Sequence, residues 1–183
     1  PEAADAVLST GGDTIYLNAI EGHWRGRPNI FCGSMRGVDT RLFFHILHTR
    51  AANLPNWQAM EVLPSAVRID QAEDAAAAFA DAHLGGRRDG CWALLIGGDG
   101  SGYRFGEADV AALLEHCAAL AAKHGKRLLV TTSRRTGAAA EERLAAWLAD
   151  HPDAPVAYAV LYGRRPEKVA GAFMRLAELV FCT

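Results

Sequence analysis

The sequence predicts an α/β protein built on parallel sheet, and two observations carry that expectation. Short β-rich runs alternate along the 183 residues with Ala-rich stretches of helical period. The last four of these runs are almost unbroken in apolar residues, as expected of strands covered by helices on both faces. Helical stretches follow strands across short loops, so right-handed β-α-β crossovers are the expected connection.

In chain order the expected strands are residues 6–9, 29–32, 43–47, 59–63, 92–96, 127–132, 156–161 and 179–182. Asp70-Gln71-Ala72-Glu73 resembles a capping box, and Ala72, Ala75, Ala76, Phe79 and Ala80 then form one apolar face before Gly85-Gly86 ends the helix. Val110, Leu113, Leu114, Cys117 and Leu120 repeat the pattern, with Gly125 as the stop. A third helix over 138–149 is expected to bury Leu144, Trp147 and Leu148 and to finish before Pro152. A fourth opens with Pro166 in its first turn and buries Val169, Phe173 and Leu176.

Composition excludes several function classes. Half the residues are apolar and 22% are charged, which rules out a disordered or collagen-like chain. Nineteen basic against 21 acidic side chains leave a net charge of −2, so nothing in the balance points to nucleic acid or an anionic membrane surface. No run of about 18 apolar residues and no signal-peptide pattern are present. The expectation is a cytoplasmic protein with no integral membrane segment. Cys32, Cys91, Cys117 and Cys182 lack Cys-x-x-Cys spacing and each adjoins an apolar run, so buried free thiols in a reducing compartment are expected. His45-x-x-His48 has no carboxylate ligand at useful spacing, so no metal is expected, and no cofactor.

The chain divides into two parts. Residues 1–68 carry strands separated by irregular, aromatic-containing segments, whereas 91–183 form a regular alternating series. Residues 69–90, a helix and a polar Gly-Arg-Asp stretch, are the expected junction. Val7-Leu8-Ser9-Thr10-Gly11-Gly12-Asp13 and Leu94-Leu95-Ile96-Gly97-Gly98-Asp99 echo one another weakly, as two related halves would.

In an open parallel sheet, ligands bind outside the carboxyl ends of the strands. Three successive expected strands end in glycine, hydroxyl and arginine: Gly97, Gly98, Ser101, Tyr103 and Arg104; then Thr132, Ser133, Arg134 and Arg135; then Gly163, Arg164 and Arg165. Backbone N–H, hydroxyl and guanidinium donors of this kind cradle phosphate oxygens. The local basic edge on a slightly acidic chain points to a phosphorylated small molecule rather than a polynucleotide. The plainer reading gives the glycines to tight turns, Ser133 or Thr136 to a helix cap and the arginines to solvent.

No G-x-x-x-x-G-K-[ST] is present, which excludes a P-loop, and the glycine spacing does not match G-x-G-x-x-G. Gly97-Gly98-Asp99-Gly100 resembles the GGDG loop of the NAD-kinase and diacylglycerol-kinase superfamily, with Ser101-Gly102 where those kinases usually have Thr. A longer resemblance covers most of the chain. Leu94-Leu95-Ile96-Gly97-Gly98 followed by Tyr103-Arg104-Phe105, and above all Val130-Thr131-Thr132-Ser133-Arg134-Arg135-Thr136, resemble the mitochondrial-fission ELM-like family and its bacterial members. Asp5-Ala6-Val7-Leu8-Ser9-Thr10-Gly11-Gly12 resembles that family's first-domain strand and turn, and residues 176–183 resemble a later strand.

The resemblance implies a GT-B-like architecture: two Rossmann-like domains facing across a cleft that takes a nucleotide or nucleotide-sugar. A glycosyltransferase follows as one reading, and a non-catalytic interaction protein on the same fold as the other. Arg165-Pro166-Glu167 departs from the Asn-Pro-aromatic turn common in the family. The resemblance also implies further residues before Asp5 and after Thr183.

For an inverting transfer the base would come from the first domain. Asp13, in the Gly11-Gly12-Asp13-Thr14 turn, is the carboxylate best placed for it, with helix N-cap to residues 14–24 as the structural alternative. Gly11, Gly12, Ser34 and Arg36 complete the first-domain side of the expected cleft.

Overall fold

The computed structural model describes residues 4–62, 68–99 and 104–183. The chain forms two compact units, residues 1–66 and 67–183.

In the first unit, β1 (Val7–Thr10), β2 (Asn29–Cys32), β3 (His45–His48) and β4 (Trp57–Ala59) form a wholly parallel sheet in sequential order. The helix α1 (Thr14–Arg25) crosses from β1 to β2 and buries Ile15, Asn18, Ala19 and Gly22, residues spaced to share one helical face. Gly22 is required there because a Cβ would lie 2.5 Å from the Asn29 amide nitrogen. Gly26, at φ +58°, ends the helix in the left-handed conformation, its N–H turned back on Gly22 and His23 carbonyls. Asn29 is buried and holds three segments: its amide donates to Asn18 O and Leu42 O, and its Oδ1 accepts the Phe44 N–H at 2.8 Å. Phe31, Phe43 and Ile46 complete a small core with Ile15.

The second unit opens with α2 (Ile69–His83) and continues through β5 (Cys91–Leu95), α3 (Glu107–Lys123), β6 (Arg127–Thr131), α4 (Ala138–Asp150), β7 (Val156–Val160), α5 (Ala170–Leu176) and β8 (Ala177–Cys182). Its sheet is parallel throughout in the order β7-β6-β5-β8. Strand order therefore reverses between β5 and β8. The parallel strands with crossover helices are Rossmann-like, the fold class that the family resemblance implies.

Alternation along the strands explains the unbroken apolar runs. Cys91 and Ala93 of β5 face one core with Ala76, Phe79 and Ala80 of α2 and Phe173 of α5. Trp92 and Leu94 face the other, with Val110 and Leu114 of α3 and Leu144 of α4. Each fully buried Leu, Ile, Val or Phe stabilises such a core by roughly 1.5–3 kcal/mol. Phe79 is edge-on to both Tyr158 (5.0 Å) and Phe173 (5.1 Å), which fixes α2 on this unit's sheet.

Four expectations are corrected. The N-cap of α2 is Arg68, without a side-chain cap bond, and Asp70 forms an ion pair with Arg68 at 2.7 Å instead of heading a capping box. The fourth helix starts at Ala170, not Pro166, because residues 162–165 turn back on the Leu161 carbonyl. The fourth strand is Trp57–Ala59, two residues earlier than expected, and Leu63 lies outside the described residues. Cys32, Cys91 and Cys117 are buried, and desolvation pushes their thiols up, but Cys182 is exposed.

Candidate functional site

All strands of the second sheet point the same way, so the loops after β5, β6 and β7 share one rim. The loop after β5 touches its neighbours backbone to backbone. A Cβ on Gly98 would lie 1.8 Å from the Arg135 carbonyl oxygen, and one on Gly97 would lie 2.9 Å from that of Thr183. Gly97 N–H donates to Thr183 Oγ1 at 2.8 Å. Asp99 Oδ1 accepts the Phe105 N–H at 2.7 Å, so this carboxylate closes its own loop. Ser101 and Tyr103 lie outside the described residues, and Arg104 is exposed.

The loop after β6 is fastened by buried hydroxyls. Thr136 Oγ1 accepts the Ser133 N–H at 2.9 Å and lies within hydrogen-bond distance of the Ile96 and Gly97 carbonyls, at 2.9 and 2.7 Å. Ser133 Oγ accepts the Arg135 N–H at 3.2 Å. Thr132 donates its hydroxyl proton to Glu141 and accepts the Tyr162 N–H at 2.7 Å.

Glu141 is the residue that sequence reasoning misses. It stands in the first turn of α4, only 3% exposed, and its carboxylate accepts the Gly163 N–H at 2.9 and 3.1 Å. A Cβ at Gly163 would lie 2.6 Å from Glu141 Oε2, which explains the glycine. The available signal was its position between Ala140 and Leu144 on the buried face of α4.

The backbone donors of Gly97, Ser133, Tyr162 and Gly163 are thus already satisfied within the rim. What the rim offers a ligand is guanidinium. Arg134, Arg135 and Arg164 are exposed and, like Arg104, have no acidic partner among the described residues. Arg135 Nη2 lies 3.6 Å from where a Gly97 Cβ would stand, at the point where strand order reverses. Arg165 is engaged with Glu167 at 2.7 Å and with Tyr158. A cavity of about 230 Å³ opens among Ser133, Arg134, Glu141, Glu142, Gly163 and Arg164. Beside it, a space of about 330 Å³ is lined by Thr132, Tyr162 and Lys168.

The first unit has a rim of its own. Gly11 and Gly12 form the turn after β1, and Gly11 N–H donates to Cys32 O at 3.0 Å. Asp13 occupies the N-cap position of α1 but makes no side-chain cap bond, and its Oδ1 faces Arg36 Nη1 at 3.4 Å. Gly33 and Ser34 border a cavity of about 600 Å³ with His48, Arg50 and Trp57. His45 and His48 lie on a strand with opposite facings, and no cluster of metal-ligating side chains exists among the described residues. Among the described residues, no helix is long and apolar enough to cross a membrane.

No curated protein and no solved structure matches the chain. A family profile does match, described as mitochondrial fission ELM1, over residues 47–183. That span holds the whole second sheet and every loop of its rim. Since it covers well over half of the sequence, the chain belongs to the mitochondrial fission ELM1 family.

Proposed function

We propose that the carboxyl rim of the second unit binds a nucleotide or nucleotide-sugar, and that the protein is a GT-B-like glycosyltransferase built from two Rossmann-like domains. The observation that carries the reading is the set Arg134, Arg135 and Arg164, which stands at adjacent parallel strand ends without acidic partners among the described residues. Guanidinium groups suit a diphosphate because they present paired donors and stay charged. Glu142 lines the same cavity and adds an acceptor of the kind that receives ribose hydroxyls, while buried Glu141 is spent on Thr132 and Gly163. On the first unit, Asp13 is the proposed general base, held beside Arg36.

The test is calorimetric titration with UDP, GDP and ADP and their sugar derivatives, followed by assay of sugar release. Binding that falls at least about tenfold in Arg134→Ala/Arg135→Ala supports the reading, since a charged hydrogen bond contributes about 1.5–3 kcal/mol. Binding unchanged in that variant would sink it. Turnover lost in Asp13→Asn with binding intact would assign the base.

A second reading, a non-catalytic interaction protein, is favoured by a different observation. Leu17, Ile20 and Trp24 form an exposed apolar stripe along α1, with Trp24 83% exposed. Absence of both nucleotide binding and turnover would favour it. A kinase of the GGDG type would require ATP-dependent phosphorylation that fails in Asp99→Ala.

A further inference from the structure

We propose that the cavity at the carboxyl ends of β2 and β3 is a second anion site, which takes a phosphorylated small molecule on Arg50, Ser34 and Thr49 with Trp57 against its carbon skeleton. The proposal is independent of the nucleotide reading, which rests on the second unit. The cavity measures about 600 Å³ and its charged and polar lining comprises Ser34, His48, Thr49 and Arg50, with no carboxylate. It sits where parallel sheets place ligands.

The donors are unspent. Among the described residues, Arg50 has no acidic partner, and the hydroxyls of Ser34 and Thr49 make no hydrogen bond. His48 Nδ1 accepts the Arg50 N–H at 2.8 Å, which puts the proton of the neutral ring on Nε2 and makes that nitrogen a further donor. A lining that pairs a guanidinium with hydroxyls able to donate, and holds no carboxylate, is complementary to oxyanions and poor for a cation.

The framework is fixed in advance. The His48 ring stacks on Trp57 at 4.8 Å, and Trp57 Nε1 donates to Arg50 O at 2.8 Å. One histidine and one tryptophan thereby hold the backbone of Arg50 from both sides, through its N–H and its carbonyl. The backbone at Arg50 needs no ordering when a ligand arrives, and only the exposed side chain has its rotamer freedom left to lose. The indole supplies the apolar contact that lets such a site distinguish a phosphorylated organic molecule from phosphate itself.

The experiment is a residue-resolved NMR titration of the full 183-residue chain with inorganic phosphate, phenyl phosphate and acetate, against sodium chloride at matched ionic strength. The expected result is saturable shifts of the residue 49–52 amides and the Trp57 indole N–H, with phenyl phosphate binding more tightly than phosphate. Arg50→Gln should weaken both by about tenfold or more, while Arg134→Ala/Arg135→Ala leaves them unchanged. Absence of saturable shifts, shifts equal to those with chloride, or an unaltered response in Arg50→Gln would overturn the proposal. Acetate binding as tightly as phosphate would overturn the phosphate assignment. Should Arg50→Gln lose its native spectrum, Ser34→Ala and Thr49→Val replace it, each expected to weaken phosphate several-fold. Failure at these residues leaves the rim of the second unit, with its own signals at Thr132 and Gly163, separately readable.

Discussion

At the scale of the residue, the second rim is governed by contacts too close for a side chain. Gly98→Ala would place a methyl group 1.8 Å from a backbone oxygen, and neither loop can yield by turning a side chain. It is expected to cost at least about 1–3 kcal/mol, as overpacking does. Gly171→Ala is the contrasting case. It sits within α5, where the nearest atom to a new Cβ is Ala72 Cβ at 4.0 Å, so a gain of about 0.5–1 kcal/mol is expected. Urea unfolding of the two variants measures both signs. Thr132→Val keeps the shape of the side chain but strips a donor from buried Glu141 and an acceptor from the Tyr162 N–H. A loss of roughly 1–3 kcal/mol is expected, read from the same unfolding curves. The sequence marked Thr132 and Gly163 as rim residues because hydroxyl and glycine follow apolar runs. It hid Glu141, because a buried carboxylate is recognised only by its donors, and these lie 9 and 22 residues away in the chain.

At the scale of the element, the legible features are those set by local period. Eight strands lie on or beside the expected runs, with residues 29–32 matched at both ends, because strand cores follow from unbroken or alternating apolar residues. Helix starts were less legible. Pro166 suits a first helical turn, yet α5 begins at Ala170, where Phe173 and Leu176 can reach the core shared with α2. Tertiary packing outweighs a start signal when the helix is seven residues long. The amino ends of the strands carry a fastening that no motif announced. Glu178 accepts from Lys126 Nζ at 2.6 Å and from Gly90 N–H at 3.1 Å, joining the start of β8 to residues just before β6 and β5. Lys126 first, then the Gly90 N–H, hold this carboxyl below its usual range. A depressed value means that its stabilisation is present above the ordinary carboxylate range and is lost as pH falls through the folded value. Glu178→Gln should therefore melt at lower temperature than the parent at pH 7, and the gap should close in acid. Thermal melts across pH 2–7 would show it, and a gap independent of pH would argue against the ion pair.

At the scale of the whole molecule, two parallel sheets each gather their strand-end loops on one rim. The second unit covers its sheet with two separate buried clusters, one on each face. Residues 67–183 alone are therefore expected to unfold cooperatively in urea, with a dispersed NMR spectrum. A spectrum of collapsed, unresolved signals from that segment would contradict a self-sufficient core. The α/β class and parallel connection were legible because both follow from period and loop length. The reversal of strand order between β5 and β8 was not, because it depends on which edge of the sheet the last crossover returns to. Wholly parallel strands have one practical consequence. The turn at Gly85-Gly86 and the exposed Arg87 that follows it precede β5 and so lie at the amino ends, away from Arg134, Arg135 and Arg164. Arg87, unlike Gly85 at φ +61°, is replaceable without backbone strain. A fluorophore or surface tether attached there would leave the opposite rim unobstructed, so an immobilised protein could be screened against phosphorylated compounds without masking the surface under test.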